Sequence, residues 1–321
     1  MRSPGLLLIS LLAVVGCARQ DVPVRTVTYE ETIRIPAQKD RVRLWVPVPQ
    51  NEKHQAVRVL SVKTNAVHRR TQEKEFGNEL LYVEGAPGKD LELNVVYEID
   101  RKLRRGSDGP AHLSEALQER FTAARGKVEI NDRIRTLADK HGGSGNASEV
   151  AKGFYSYILE FMAYDKKAPG WGEGDSLRAC VVGLGNCTDF HSLFQAMATV
   201  KNIPSRFRMG LPLGPEKVQS FEGKGYHCWL DFHADGHGWI PMDISEAWKV
   251  KHGKKKMDSS WVKRYFGTID EGRILLSSGR ALMLEPPQAG PLLNYFAYPY
   301  AESGGKPLDA VSFTRIIRDR L

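Results

Sequence analysis

Cysteine is scarce in this 321-residue chain: four thiols, at positions 17, 180, 187 and 228, with no Cys-x-x-Cys pair among them. That scarcity excludes a disulfide-built scaffold and the paired spacing of a zinc ribbon. After the first twenty residues no stretch is apolar enough to cross a bilayer. Internal repeats and long low-complexity segments are missing, which excludes repeat architectures, and so is any calcium-loop signature, which argues against a calcium-regulated enzyme. Acidic residues are outnumbered, 38 Asp and Glu against 46 Lys and Arg, for a formal charge of +8. Clusters such as RKLRR at 101–105 and KHGKKK at 251–256 suit lipid headgroups, cell-wall polymers or acidic peptides, or simply keep the protein soluble.

What is present begins with MRSPGLLLISLLAVVGCARQ: one early positive charge, an apolar run from Leu6 to Val15, then Gly16 and Cys17. The run is too short for a membrane span and reads as a secretory signal over residues 1–16. Its ending resembles a bacterial lipobox, which implies that Cys17 is acylated and that residues 17–21 tether a soluble body to the inner or outer membrane, at the periplasmic face of the cell envelope. Nucleic acid is excluded as a partner by that location. Three cysteines then remain in an oxidising compartment, so at least one stays unpaired, and a Cys180–Cys228 bridge is left open.

Residues 22–105 alternate apolar and polar side chains in short runs, VRTVTYEETIRI, RVRLWVPVP, AVRVLSV, ELLYVEGAPG and LELNVVYEI, and predict a β-rich N-terminal domain, a sheet or small sandwich. After the basic linker the period changes. LSEALQERFTAAR, EINDRIRTLADKHG and SEVAKGFYSYILEFMAYD carry apolar residues three and four apart, followed by TDFHSLFQAMATVKNI and then by strand-like RFRMGLPLG, YHCWLDFHA and GWIPMDIS. This order predicts an α+β domain over 106–250, a helix with a cysteine at its start packed on an antiparallel sheet, and 251–321 as an extension on that core.

GLGNCTDFH at 183–191 places Cys187 at the start of the buried helix. Unpaired N–H groups and the helix dipole there favour thiolate, and Gly183 and Gly185 let the chain turn and substrate approach. A nucleophilic thiol needs a base. Of nine histidines, His54, His68, His112, His141 and His252 sit in charged or turn-like surroundings, His233 and His237 flank a hairpin, and His191 shares the cysteine's helix. His227 opens the strand HCWLDF where a loop meets a sheet. Asp243 ends GWIPMD on the neighbouring strand, in register to orient that imidazole.

GLGNCTDFHSLFQAMATVKNIPSRFRMG, then YHCWLDF, then GWIPMDIS, resembles the core of the transglutaminase-like superfamily, whose members share a papain-related fold and cross-link, deamidate or hydrolyse amide bonds. The pattern is carried by Gly185, Cys187, Pro204, Arg206, His227, Trp229, Trp239 and Asp243; Asn202 replaces a glycine and Ser205 an alanine. The resemblance implies that Cys187 attacks an acyl carbon, His227 shuttles the proton and Asp243 orients His227. It also implies an oxyanion site built from the Cys187 N–H and a second donor, for which Tyr164 and Trp171 are the candidates. Asp189 complements the helix dipole, and Trp229, Trp239 and Trp248 read as core or cleft walls. A zinc site can be written from Cys180, Cys187, His191, His227 and Cys228, but adjacent strand residues point to opposite faces. No cofactor or metal is called for. The expected partner is a peptide or protein substrate, cell-wall peptide included, with hydrolysis favoured over cross-linking. The alternative is an envelope binding or assembly module with an idle triad.

Overall fold

The computed structural model describes residues 24–223, 225–309 and 311–320. The signal expected over 1–16 and the acylation expected at Cys17 lie outside the described residues. The alternating front half forms β1 (Val24–Ile35), β2 (Val42–Pro47), β3 (Gln55–Thr64), β4 (Val67–Gln72), β5 (Glu79–Gly85), β6 (Leu91–Lys102) and a short β7 (Arg104–Arg105). A helical layer follows: α1 (Glu115–Thr122), α2 (Asp132–Gly142), α3 (Ala147–Phe161), α4 (Ser176–Val182) and α5 (Cys187–Val200), with two-residue strands β8 (Ala163–Tyr164) and β9 (Leu184–Gly185) between them. Strands β10 (Ser205–Pro212), β11 (Val218–Glu222), β12 (His227–Ala234) and β13 (Gly238–Met242) lead to α6 (Ile244–Lys251) and α7 (Trp261–Arg264). The chain ends with β14 (Thr268–Ile269), β15 (Arg273–Ser278), β16 (Tyr300–Ser303), β17 (Lys306–Pro307) and β18 (Ser312–Asp319).

Two antiparallel five-stranded sheets, β11-β18-β1-β6-β3 and β17-β16-β2-β5-β4, form a sandwich. Val27, Tyr29, Ile33 and Ile35 of β1 meet Val42, Leu44 and Val46 of β2 in one apolar layer, because a period of two puts them all on one face. The four-stranded sheet β13-β12-β10-β15 carries the helices. Helix α5 is buried from Cys187 to Ala198, which explains why its sequence is apolar or small on nearly every face. The α+β class and the helix-on-sheet core are those the sequence predicts.

The C-terminal segment departs from expectation. Among the described residues of 251–321, only β15 joins the core sheet, beside β10. Strand β16 pairs with β2, and β18 pairs with β1 from Val27↔Asp319 to Arg34↔Ser312. The front sandwich is therefore finished by the end of the chain, which covers an edge that β1 would otherwise expose. Arg315 on β18 is buried against Glu31 on β1, Nε to Oε1 2.8 Å. A second buried cluster ties the short strand β7 to the core sheet: Asp231 on β12 accepts from Arg104 Nη1 at 2.7 Å and Arg206 Nε at 2.7 Å. Burial opposes the charge of Asp231, but the guanidiniums of Arg104, Arg206 and Arg208 outweigh it and hold the carboxyl well below its usual range.

Candidate active site

Three short-range devices fix the start of α5. Asn186 caps it, its Oδ1 accepting from Thr188 N at 2.9 Å. Asp189 completes the capping box by accepting from Asn186 N at 2.8 Å, and also takes Gly172 N at 2.8 Å and Gly174 N at 3.1 Å. The carboxylate expected to complement the dipole is thus also the staple of the 172–174 loop. Gly183 ends α4 with φ +64°, the left-handed conformation that glycine adopts without strain. Gly185 answers a different need from the substrate approach expected of it: a Cβ there would collide with the Asp189 carboxylate. Because Tyr164 pairs in parallel with Gly185 across β8–β9, its ring is carried to the head of α5.

Cys187 is 1% exposed. Burial alone would raise its pKa, but hydrogen bonds from Cys228 and His227, with the charge of His227, bring it well below the ordinary thiol value. His227 Nε2 lies 2.6 Å from Asp243 Oδ2, which leaves Nδ1 for the sulfur. Burial would lower the His227 pKa; the Asp243 charge and hydrogen bond reverse that and push it up to about 9. Both shifts favour the thiolate–imidazolium form of the pair.

Asp243 is fully buried and heavily engaged. Its Oδ1 accepts from Ser245 Oγ and from Glu246 N, each at 2.9 Å, so it also caps α6. Its Oδ2 is shared between His227 and Arg273, which reaches on to Asp270 Oδ2 at 2.9 Å. His191 backs the other side, Nε2 accepting from Ile244 N at 3.3 Å and Nδ1 lying 3.4 Å from Cys228 Sγ. Burial lowers the His191 pKa to about 4, so the ring is neutral and Nδ1 carries the proton. His191 and Arg273 were not picked out from the sequence as partners of the triad. The four-residue spacing of Cys187 and His191 was a signal, though it was read toward metal, whereas Arg273 lies outside every motif.

Tyr164, Tyr226 and His227 line an open cleft of about 290 Å³. Tyr226 Oη accepts from Asn186 Nδ2 at 2.6 Å and lies 3.0 Å from Thr188 Oγ1. Of the two oxyanion candidates, Tyr164 is on the cleft wall; Trp171 is not among its lining residues. Trp229 is buried beside His227, the rings 6.5 Å apart, and Trp239 receives the Arg206 guanidinium at 4.4 Å. Trp248 is partly buried against the core. Cys180, Cys187 and Cys228 are free thiols, so the bridge left open by the sequence is not formed. Among the described residues no group of three or more His, Cys, Asp or Glu side chains is disposed to hold a metal ion.

A thiol at a helix start, faced across an antiparallel sheet by a carboxylate-bound imidazole, is the arrangement of papain-like cysteine enzymes. Residues 135–244 match the family model of the transglutaminase-like superfamily, so this segment is a transglutaminase-like domain. Cys187, His227 and Asp243 all fall inside it. An uncharacterized protein of Haemophilus influenzae strain Rd is 27% identical over 306 residues, 84% of this chain and 83% of that protein. The crystal structure of a protein from Cytophaga hutchinsonii, described as "a putative cysteine protease", superposes with a TM-score of 0.56 over 93% of this chain and 98% of that one, at 11% identity. The likeness shows a shared fold along nearly the whole length. Among the described residues no helix is long and apolar enough to cross a membrane.

Proposed function

We propose that this protein is a cell-envelope cysteine hydrolase of the transglutaminase-like type, held at the membrane through Cys17 and acting on amide or ester bonds of peptides. The observation that carries the reading is the unbroken relay from the Cys187 sulfur through His227 to Asp243, at the foot of an open cleft. The Cys187 thiolate attacks the acyl carbon, and the carbonyl oxygen becomes an oxyanion facing the Cys187 N–H and the Tyr164 hydroxyl. His227 gives its proton to the leaving amine or alcohol, then takes one from water as the thioester is hydrolysed. Asp243 keeps the imidazole oriented throughout, and Arg273 keeps Asp243 in place. Removing one oxyanion donor costs roughly 3–4 kcal/mol of transition-state stabilisation.

The test is turnover of peptide and ester libraries by the purified protein, with and without an added primary amine. Release of free acid that vanishes in Cys187→Ala and His227→Ala is the expected result. Amine incorporation instead of free acid would move the reading to cross-linking. A Cys187→Ala protein that still performs its task in the cell would mark the fold as a binding module with an idle triad.

A further inference from the structure

The charges around the cleft do not cancel. Lys249 and Lys255 pair with Glu246, Lys255 at 2.6 Å, and Arg273 pairs with Asp243 and Asp270. These three cations thus meet three carboxylates, while the Cys187–His227 ion pair is neutral as a unit. Lys166 and Lys254 also line the cleft and are exposed. Neither has a carboxylate within 4.0 Å among the described residues. The Lys166 ammonium lies instead 5.9 Å from the Tyr164 ring and 5.9 Å from the Trp171 ring. Two positive charges without a salt-bridge partner among the described residues therefore stand at the rim of a cleft whose wall carries the proposed oxyanion donor, with the Glu216 carboxylate set against Gly214 of the same wall. A cleft lined by one sign of charge raises the local concentration of ligands of the other sign.

Resting on the hydrolase reading, we infer that the acyl donor is an acidic peptide, with a free carboxylate near the scissile bond that Lys166 and Lys254 receive. Glu246 supports this by committing Lys249 and Lys255 to the wall, so that the rim lysines alone are available to substrate. The attraction is electrostatic and only partly desolvated, so it favours capture of the correct substrate rather than the chemical step.

Alkylation of Cys187 tests the charge without knowledge of the substrate. The full-length protein in detergent is treated with iodoacetate, which is anionic, and with iodoacetamide, which is neutral, and labelling of Cys187 is read by peptide mass. The iodoacetate-to-iodoacetamide rate ratio is normalised to that of a small free thiol. The expected ratio is raised roughly three- to tenfold at low ionic strength, the effect of two unit charges several ångströms away in water. It collapses at about 0.5 M salt, and it falls to within about twofold of the free thiol in Lys166→Gln/Lys254→Gln. A raised ratio that survives in the double variant belongs to the His227 imidazolium and overturns the inference. A ratio equal to the free thiol, with Cys187 still reactive to iodoacetamide at mildly acidic pH, overturns the inference and leaves the hydrolase reading intact. Failure of Cys187 to react with either reagent removes the nucleophile, and the inference falls with the hydrolase reading.

Discussion

At the scale of single residues, the Cys187–His227 pair has two opposite signatures in pH. Activity depends on both charges: kcat/KM should rise on the acid side as Cys187 ionises below its ordinary range and fall on the alkaline side near about pH 9, as His227 loses its proton. A pH–rate profile with its alkaline limb near the unperturbed imidazole value of about 6.5 would contradict the site as described. Stability responds differently. Between about pH 6.5 and 8.5 the folded pair holds one proton, on His227, and the unfolded chain also holds one, on the thiol, so the two shifts cancel. Cys187→Ala removes the cancellation. With Asp243 and Glu246 still raising His227, the folded state binds the extra proton, and stability should fall with rising pH by up to about 1.4 kcal/mol per unit. Urea denaturation at about pH 6.5, 7.5 and 8.5 checks this: the variant should lose stability relative to wild type as the pH rises. Cys187, His227 and Asp243 were legible in the sequence because each sits at a junction of elements that its neighbours announce, a glycine-rich turn or a strand end. Arg273 was not. Its contact with Asp243 spans thirty residues, and an arginine at the head of RILLSS looks like any strand-edge cation.

At the scale of elements, the head of α5 depends on one carboxylate. Asp189 satisfies three backbone N–H groups from two segments, so Asp189→Ala should cost roughly 2–4 kcal/mol by leaving buried donors unpaired. Loss of hydrogen-exchange protection at Gly172 and Gly174, with a lower denaturation midpoint, is the expected result. Full protection in the variant would mean that the loop is held by something else. The helix and its cap were readable from Asn186 and the apolar run behind it. The clamp was not, since Gly172 and Gly174 bear no side chain that would reveal their partner.

At the scale of the whole molecule, Asp231 ties β7, the strand that leaves the sandwich, to the core sheet. Asp231→Ala would leave Arg104 and Arg208 buried and Arg206 half-buried with only Asp108 and Glu52 to balance them, at a cost of roughly 3–5 kcal/mol. Calorimetry should show the single transition of wild type moving down or splitting in two, and an unchanged midpoint would remove the cluster's structural role. The sandwich itself was legible from its period of two, but its strand order was not, because alternation reports which face is buried and says nothing about which strand lies alongside. That order governs how the protein is made. Glu31 waits for Arg315, 284 residues away, and β1 lacks its β18 neighbour until the final strand has been synthesised. Contacts of such sequence separation form slowly. A chain in which β18 has not yet docked therefore carries a bare strand edge at β1, and chaperones that hold unfinished chains should bind it until β18 pairs.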